Sequence, residues 1–108
     1  MARQDSLQGS LPLLILKILA RLGPLHGYGI TARIESMANI LRVEEGSLYP
    51  ALHRMEEAGF IKAKWVTTEN KRRARMYEIT AAGREELEVE ERRWYAVTAA
   101  VGQILQGV

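Results

Sequence analysis

The side chains best suited to bind another molecule are concentrated in two neighbouring stretches of the chain. Between Gly46 and Ile61 the sequence GSLYPALHRMEEAGFI presents Tyr49, His53 and Arg54 at helical spacing, away from an apolar stripe. Residues 62–75 then contain six lysines and arginines and a single acidic residue. Clustered cations neutralise phosphates, and arginine, tyrosine and histidine donate hydrogen bonds to phosphates and base edges. The chemistry that these residues predict is therefore binding of a nucleic acid.

The residues predicted to contact DNA are Tyr28, Ser47, Tyr49, Pro50, His53, Arg54, Lys64, Lys71, Arg72, Arg73 and Arg75. For Tyr49, His53 and Arg54 the alternative is a helix surface without a partner, and the basic wing beside them favours contact with DNA. Three further assignments also have structural alternatives. Ser47 caps a helix, contacts a phosphate, or does both. Tyr28 is either an edge residue of the core or a phosphate donor. The run from Lys71 to Arg73 is either a solvated loop or a phosphate contact, and its place beside the helix favours phosphate contact.

We call the helix that carries Tyr49 and Arg54 the reading helix. Pro50 lacks a backbone N–H and is tolerated where that donor is already unpaired, so the helix is expected to begin near Gly46 or Ser47, with Pro50 in its first turn. Gly59 is expected to end it in the left-handed conformation. Because a three-turn helix is marginally stable alone in water, its apolar stripe must pack against the rest of the chain.

Two further helices are predicted before the reading helix. Ser10 is expected to cap the first, which runs through Leu11–Leu22 and is apolar on nearly every side, so it is expected to be buried on two faces. A Gly-Pro pair ends it, and a second helix is predicted from Tyr28 to Ala38. Its predicted inner face carries Ile30, Ile34 and Met37. Two short helices around a brief turn, the second with a polar exposed face, are typical of a helix-turn-helix.

After Gly59 the pattern changes to a period of two. Two segments alternate in this way, Ile61-Ala63-Trp65 between lysines and Met76-Tyr77-Ile79 beside Arg75 and Glu78. They predict a hairpin around a flexible, basic loop at residues 67–73, with Trp65 pointing into the core. A basic hairpin directly after a recognition helix is a wing, which follows a phosphate backbone or enters a minor groove.

Thr80 is predicted to cap a last helix from about Ala81 to Gln106. One side of this helix repeats apolar residues at steps of three and four: Trp94, Val97, Val101, Ile104 and Val108. The hairpin domain has no surface left for so long a stripe, so a second copy of the chain is expected to cover it. The residues assigned to this homodimer interface are Leu11, Leu14, Ile15, Trp94, Val97, Val101 and Ile104.

Length and composition restrict the class of protein. The 108 residues are expected to form one structural unit, mainly α with a small β-hairpin (α+β), consisting of a winged helix-turn-helix at 1–80 and a dimerisation helix at 81–108. Without cysteine there is no disulfide or thiolate metal site, which fits the cytoplasm, and no cofactor or metal is expected. The first apolar run is too short to span a membrane and is interrupted by Lys17, so neither a membrane span nor a secretory signal is favoured. The sole aspartate, Asp5, lies in the polar N-terminal tail, which is expected to be frayed, so no plausible Ser-His-Asp set is available and an enzyme is not expected.

Three sequence blocks, in order, resemble the PadR family of bacterial transcriptional regulators in its short form with a single C-terminal helix. They are GPLHGYGI at Gly23–Ile30, RVEEGSLYPALHRMEEAGFI at Arg42–Ile61 and RARMYEITAAGR at Arg73–Arg84. Met55 and Met76 stand where leucine and an aromatic residue are commoner in the family. The resemblance implies a winged helix-turn-helix homodimer that binds a palindromic operator, usually as a repressor, and is often released by a small molecule.

The resemblance also implies an effector site. Some members of the family bind planar, often cationic drugs between paired tryptophans of the last helix, so a small aromatic effector is expected near Trp94 and Tyr95, with Glu90 and Glu91 favouring a positive charge. The simpler alternative is that Trp94 only fills the dimer interface. A second alternative, for the whole protein, is a winged-helix module for protein contacts, which would not need the clustered positive charge.

Overall fold

The computed structural model describes the backbone of residues 2–107 and the side chains of residues 9–107. Its elements are α1 (Ala2–Leu22), β1 (Leu25–His26), α2 (Gly27–Met37), α3 (Glu45–Glu57), β2 (Ile61–Thr67), β3 (Arg73–Ile79) and α4 (Ala81–Leu105). The wing consists of β2, β3 and the turn between them. This order of elements confirms the predicted α+β, winged helix-turn-helix fold. Position 108, which belongs to the predicted dimerisation helix and its stripe, lies outside the described residues.

Helix α1 crosses the centre of the domain and packs against α2, α3, α4 and β3. The fully buried side chains are Leu11, Ile15, Leu16, Leu19, Ile30, Leu48, Leu52 and Ile61. The sequence pattern assigns Leu11 and Ile15 to the dimer interface, and that assignment is wrong because both side chains are buried in the core of their own protomer. Leu14 is partly buried and keeps some surface for a partner.

Helix α1 begins at Ala2, so the expectation that Ser10 caps it is wrong. Residues 2–9 include alanine, arginine, glutamine and leucine, which favour helix, and nothing in that stretch breaks one strongly. The helix continues through Pro12, which costs one backbone hydrogen bond but not the helix.

Helix α2 begins directly after a capping histidine. The His26 Nδ1 atom accepts a hydrogen bond from the Gly29 backbone N–H at 3.1 Å, so His26 has a structural role. Ile30 and Ile34 are buried as predicted, but the expectation for Met37, the last residue of the helix, is wrong because its side chain is 64% exposed.

The sheet has three strands in the order β1-β3-β2, one more than the predicted hairpin. β1 pairs antiparallel with β3 through Leu25 and His26. A two-residue strand is too short to show alternation, so the sequence alone did not reveal it. The β2–β3 register runs from Ile61 opposite Ile79 to Thr67 opposite Arg73.

The reading helix, α3, starts earlier than predicted. Glu44 is its N-cap residue and Ser47 its third residue, so Ser47 is not the cap. Pro50 consequently lies in the second turn, not the first. The predicted end is confirmed: Gly59 has a φ of 85°, and the Phe60 N–H bonds to the Met55 carbonyl at 3.0 Å.

Helix α4 is anchored at its start and exposed afterwards. The Thr80 hydroxyl oxygen accepts a hydrogen bond from the Gly83 N–H at 3.0 Å, which confirms the predicted cap. Gly83 is buried, and a Cβ there would overlap the Phe60 carbonyl oxygen. Leu87 is the last buried side chain of α4, and apart from the half-buried Gly102 every residue from 92 to 107 is exposed.

Candidate nucleic-acid interface

The outer side of α3, the start of α2 and the wing enclose an open cleft of about 660 Å³. Many of the residues predicted to contact DNA line this cleft, namely Tyr28, Tyr49, His53, Arg72, Arg73 and Arg75. They come from three elements that are distant in sequence, and the fold brings them together because β3 returns beside both β1 and β2.

The other predicted residues of α3 border a different groove. Ser47, Pro50 and Arg54 face α1 near Leu11. Tyr49 and Arg54 are five residues apart, which separates their directions by about 140° around a helix. The two residues therefore lie at opposite edges of the exposed face of α3, with Pro50 and His53 between them.

Tyrosines form the wall of the cleft nearest α2. Tyr49 is 45% exposed and its ring packs on Gly27, where an added Cβ would lie 2.7 Å from the Tyr49 hydroxyl oxygen. Tyr28 is 75% exposed, with its ring stacked on that of His26. Of the two alternatives for Tyr28, an edge residue of the core is therefore wrong, since the side chain stands in the open.

His53 lies on the exposed face of α3, one turn before Glu57. Its Nε2 atom is 3.2 Å from a Glu57 carboxylate oxygen, and both side chains are largely exposed. A pair this exposed stabilises the helix only slightly. His53 is thus available to another molecule at little cost.

The tip of the wing, for which the sequence predicts a flexible loop, is a hydrogen-bonded turn. The Thr68 N–H bonds to the Arg72 carbonyl at 2.8 Å, and the Lys71 N–H bonds to the Thr68 carbonyl at 2.9 Å. Lys71 adopts a left-handed conformation with a φ of 61°. The turn fixes the backbone while the side chains of Lys71, Arg72 and Arg73 stay exposed.

Arg75, one of the predicted DNA contacts, is held by other side chains of its own protomer. Its Nη2 atom lies 2.7 Å from a Glu56 carboxylate oxygen, which ties the wing to α3. Its guanidinium also lies 5.8 Å from the centre of the Tyr77 ring. Burial raises the pKa of the Tyr77 phenol above its usual range, and the nearby Arg75 charge opposes this shift. These contacts leave Arg75 little freedom to bind a phosphate.

Two wing residues lie where the sequence did not predict them. Trp65 is 55% exposed and lines the cleft, so its assignment to the core is wrong. The alternation correctly gives its face, but β2 extends beyond the domain body after Ala63, and no core remains to cover the ring. Lys64 lies on the opposite face of the wing, beside Met76 and Glu78, and is not brought together with the cleft residues.

The family model for PadR-like transcriptional regulators matches residues 15–89, from the middle of α1 to the first turns of α4. The chain belongs to this family. Its members are transcriptional regulators and not enzymes, so the regulatory class that the sequence indicated is confirmed.

Individual relatives agree with this assignment. A PadR-like transcriptional regulator from Bacillus cereus is 30% identical, with a TM-score of 0.80 over 96% of this chain and 99% of that one. Bacillus subtilis PadR, solved in complex with operator DNA, is 32% identical with a TM-score of 0.64 over 72% of this chain and 44% of that one. An uncharacterized 37.1 kDa protein in a transposon of Streptomyces fradiae is 45% identical over 78 residues, and the match spans about a fifth of its length (21%).

Two carboxylates predicted to attract a cationic effector, those of Glu90 and Glu91, already form ion pairs within the protomer. Lys17 Nζ lies 3.0 Å from Glu91, and Arg93 lies 3.1 Å from Glu90. Burial and a hydrogen bond with Glu90 raise the pKa of Glu86. Glu90 and Glu91 therefore neutralise the protomer's own cations, and the predicted pairing with an effector would have to displace these contacts.

The aromatic residues of the predicted effector site are both on the surface of α4. Trp94 is 46% exposed and borders a shallow groove between α4 and α1, beside Ser10 and Leu13. Tyr95 is 64% exposed. In residues 2–107 no helix is long and apolar enough to cross a membrane. Among the side chains that the structure describes, those of residues 9–107, no three His, Asp or Glu converge on a common point.

Proposed function

We propose that this PadR-like chain is a sequence-specific DNA-binding regulator that acts as a homodimer on a palindromic operator and represses transcription. The observation that carries the proposal is the cleft in which the exposed face of α3 meets the arginines of the wing. The match to Bacillus subtilis PadR, which was solved with operator DNA, supports the same chemistry. We place the protein and its operator in the cytoplasm.

In the proposed complex α3 enters the major groove and the wing follows the phosphate backbone. Tyr49 and Arg54, at the two edges of α3, contact bases or the flanking phosphates, with Pro50 and His53 against the floor of the groove. Lys71, Arg72 and Arg73 bind phosphates from the wing, and Tyr28 donates its hydroxyl to another. Ser47, in the first turn of α3, lies where helix N–H groups attract a phosphate.

The homodimer is supported by the exposed end of α4. Four of its apolar side chains, Trp94, Val97, Val101 and Ile104, are 46 to 76% exposed and share one face of the helix. The domain is elongated, measuring 58 × 29 × 21 Å. The exposed end of α4 is a helical segment short enough to be only marginally stable in water when nothing packs against it. A second α4, together with Leu14 of α1, supplies a matching surface, and a two-fold dimer presents two α3 helices about one DNA turn apart.

The test uses an operator selected by the protein from random duplexes and compared with the DNA flanking its own gene. Arg54→Ala is expected to weaken operator binding by about 1–3 kcal/mol and to reduce discrimination between sequences. Arg72→Ala is expected to weaken all duplexes alike and to lower the salt slope by about 0.9 per lost contact.

Lys64→Ala is the matched control for the wing, since it removes the same charge from the face opposite the cleft. It is expected to change affinity less than Arg72→Ala does. Selection of no common sequence, or equal losses for Lys64→Ala and Arg72→Ala, would contradict the proposed docking. Equal losses on operator and random DNA for Arg54→Ala would move that residue to the phosphate contacts.

Release by a small aromatic effector at Trp94 is the regulatory part of the proposal. Exposed Trp94 and Tyr95 support it, and the pairing of Glu90 and Glu91 within the protomer weighs against a cationic ligand. Titration with planar aromatic compounds of either charge, read by Trp94 fluorescence in Trp65→Phe protein, tests it. Saturable quenching with loss of operator binding is expected, and absence of quenching leaves Trp94 as an interface residue only.

A further inference from the structure

A tryptophan and two arginines are stacked on the side of the wing that faces the cleft. In the β2–β3 register Trp65 lies opposite Arg75, and Arg73 is its diagonal neighbour. The Arg73 guanidinium carbon is 4.8 Å from the centre of the Trp65 ring, and that of Arg75 is 5.7 Å away. Both distances fall within the range of about 6 Å at which a cation is attracted to an aromatic face.

The two arginines differ in what else holds them. Arg75 is bonded to Glu56 of α3 at 2.7 Å and lies over Tyr77, so its position follows that of α3. Arg73 is exposed at the base of the wing tip and stacks on the Trp65 ring. The order of contacts is therefore α3, Arg75, Trp65 and Arg73, which leads from the reading helix to an exposed cation of the wing.

We propose that Trp65 is a positioning residue that holds the Arg73 guanidinium ready for a DNA phosphate beside α3. An arginine side chain loses rotamer entropy when it is fixed, and stacking before binding removes part of that loss from the binding step. This role also accounts for a large aromatic ring at an exposed position of the wing. The inference rests on the proposed DNA-binding function.

The first test concerns the protein without DNA. The side-chain protons of Arg73 are expected to show ring-current shifts in NMR spectra of the wild type, and Trp65→Leu is expected to abolish them while Trp65→Phe keeps them in part. Because Trp65 is half-exposed, Trp65→Leu is expected to keep the fold, which thermal unfolding checks. Unshifted Arg73 protons in the wild type would overturn the inference whatever the protein does with DNA.

The second test is a double-mutant cycle on the dimer with a labelled mixed-sequence duplex of about 30 base pairs, long enough for nearly three helical turns. Trp65→Leu is expected to weaken binding about two- to fivefold and to lower the salt slope by up to about 0.9 per wing. In the Arg73→Gln background the same change is expected to have no further effect, because the cation that it positions is gone. In the Lys64→Gln background the full effect is expected to remain.

The outcomes separate the inference from the function on which it rests. An equal loss from Trp65→Leu with and without Arg73 would show that Trp65 acts on DNA directly or through the fold, and would overturn its positioning role. Wild-type protein that binds no duplex would overturn both, and an Arg73 ring-current shift in the same protein would then show only that the stack forms. If Trp65→Phe keeps the DNA affinity that Trp65→Leu loses, the aromatic face of residue 65 is what positions Arg73.

Discussion

Helix α3 and the second half of α4 are both amphipathic, yet their apolar sides end in different environments. In α3 the apolar residues Leu48, Ala51, Leu52 and Met55 are buried within the protomer. In α4 every apolar side chain beyond Leu87 remains exposed. The apolar side of α3 thus packs against its own protomer, whereas we propose that the apolar side of α4 packs against a second copy of the chain. A hydrophobic stripe predicts that something covers it, and only the folded protomer indicates whether that partner is internal.

The largest expected effect is on the proposed partner of α4. Val97→Glu with Val101→Glu would bury four carboxylates across a two-fold interface, at a cost of about several kcal/mol per ion. We expect a monomer at micromolar concentration in sedimentation and a lower helix signal in circular dichroism.

The matched control places the same charges, at the same spacing, on the opposite face of α4, through Ala99→Glu with Gln103→Glu. That protein is expected to remain a dimer. If the wild type sediments as a folded monomer, no second copy covers the apolar side of α4, and the proposed contrast with α3 is wrong.

Within the protomer the largest effect is expected for Leu52→Ala in α3. Leu52 is 1% exposed, so its truncation should leave a cavity and lower the free energy of unfolding by about 2–5 kcal/mol. Urea unfolding at several protein concentrations measures it. The loss is expected to be the same at every concentration, whereas a loss from an interface residue of α4 changes the concentration dependence itself.

The junction of the two regions is expected to be sensitive to a single methyl group. Gly83→Ala places a Cβ against the Phe60 carbonyl and should cost about 1–3 kcal/mol, because α4 must shift away from Phe60. Gly102→Ala is the control, since a Cβ there meets nothing within 4 Å. Thermal unfolding compares the two variants. Equal changes in their unfolding temperatures would contradict the close contact of α4 with Phe60.

The smallest expected effect separates stability from function at the wing tip. Lys71→Gly relieves a left-handed conformation that costs about 1–2 kcal/mol, partly offset by the entropy of glycine, about 0.5–1 kcal/mol. We expect a slightly more stable protein with weaker DNA binding, because a phosphate contact is lost. Asn70→Gly, one residue earlier, should only destabilise. If Lys71→Gly binds DNA as tightly as the wild type, Lys71 is not a contact.

The order and type of the main elements could be predicted because each has a periodic pattern long enough to read. The apolar face of α3, the alternation of β2 and β3 and the Thr80 cap are local features, and the structure reproduces them. Helix starts were less accurate. The sequence predicts too late a start for α1 because Ser10 is also compatible with a helix interior, and it predicts a cap at Ser47 although α3 begins two residues earlier.

What the sequence by itself determined is therefore the fold class, the family and the run of cations along the wing, since period, caps and charge are properties of neighbouring residues. Only the tertiary structure decided which of those side chains share a surface and which are already engaged. Arg75 is bound by Glu56, nineteen residues earlier, and Glu91 by Lys17, seventy-four residues earlier. Trp65 is exposed because the core ends before β2 does. Burial and ion pairing depend on what lies opposite a side chain in space, and no local pattern carries that information.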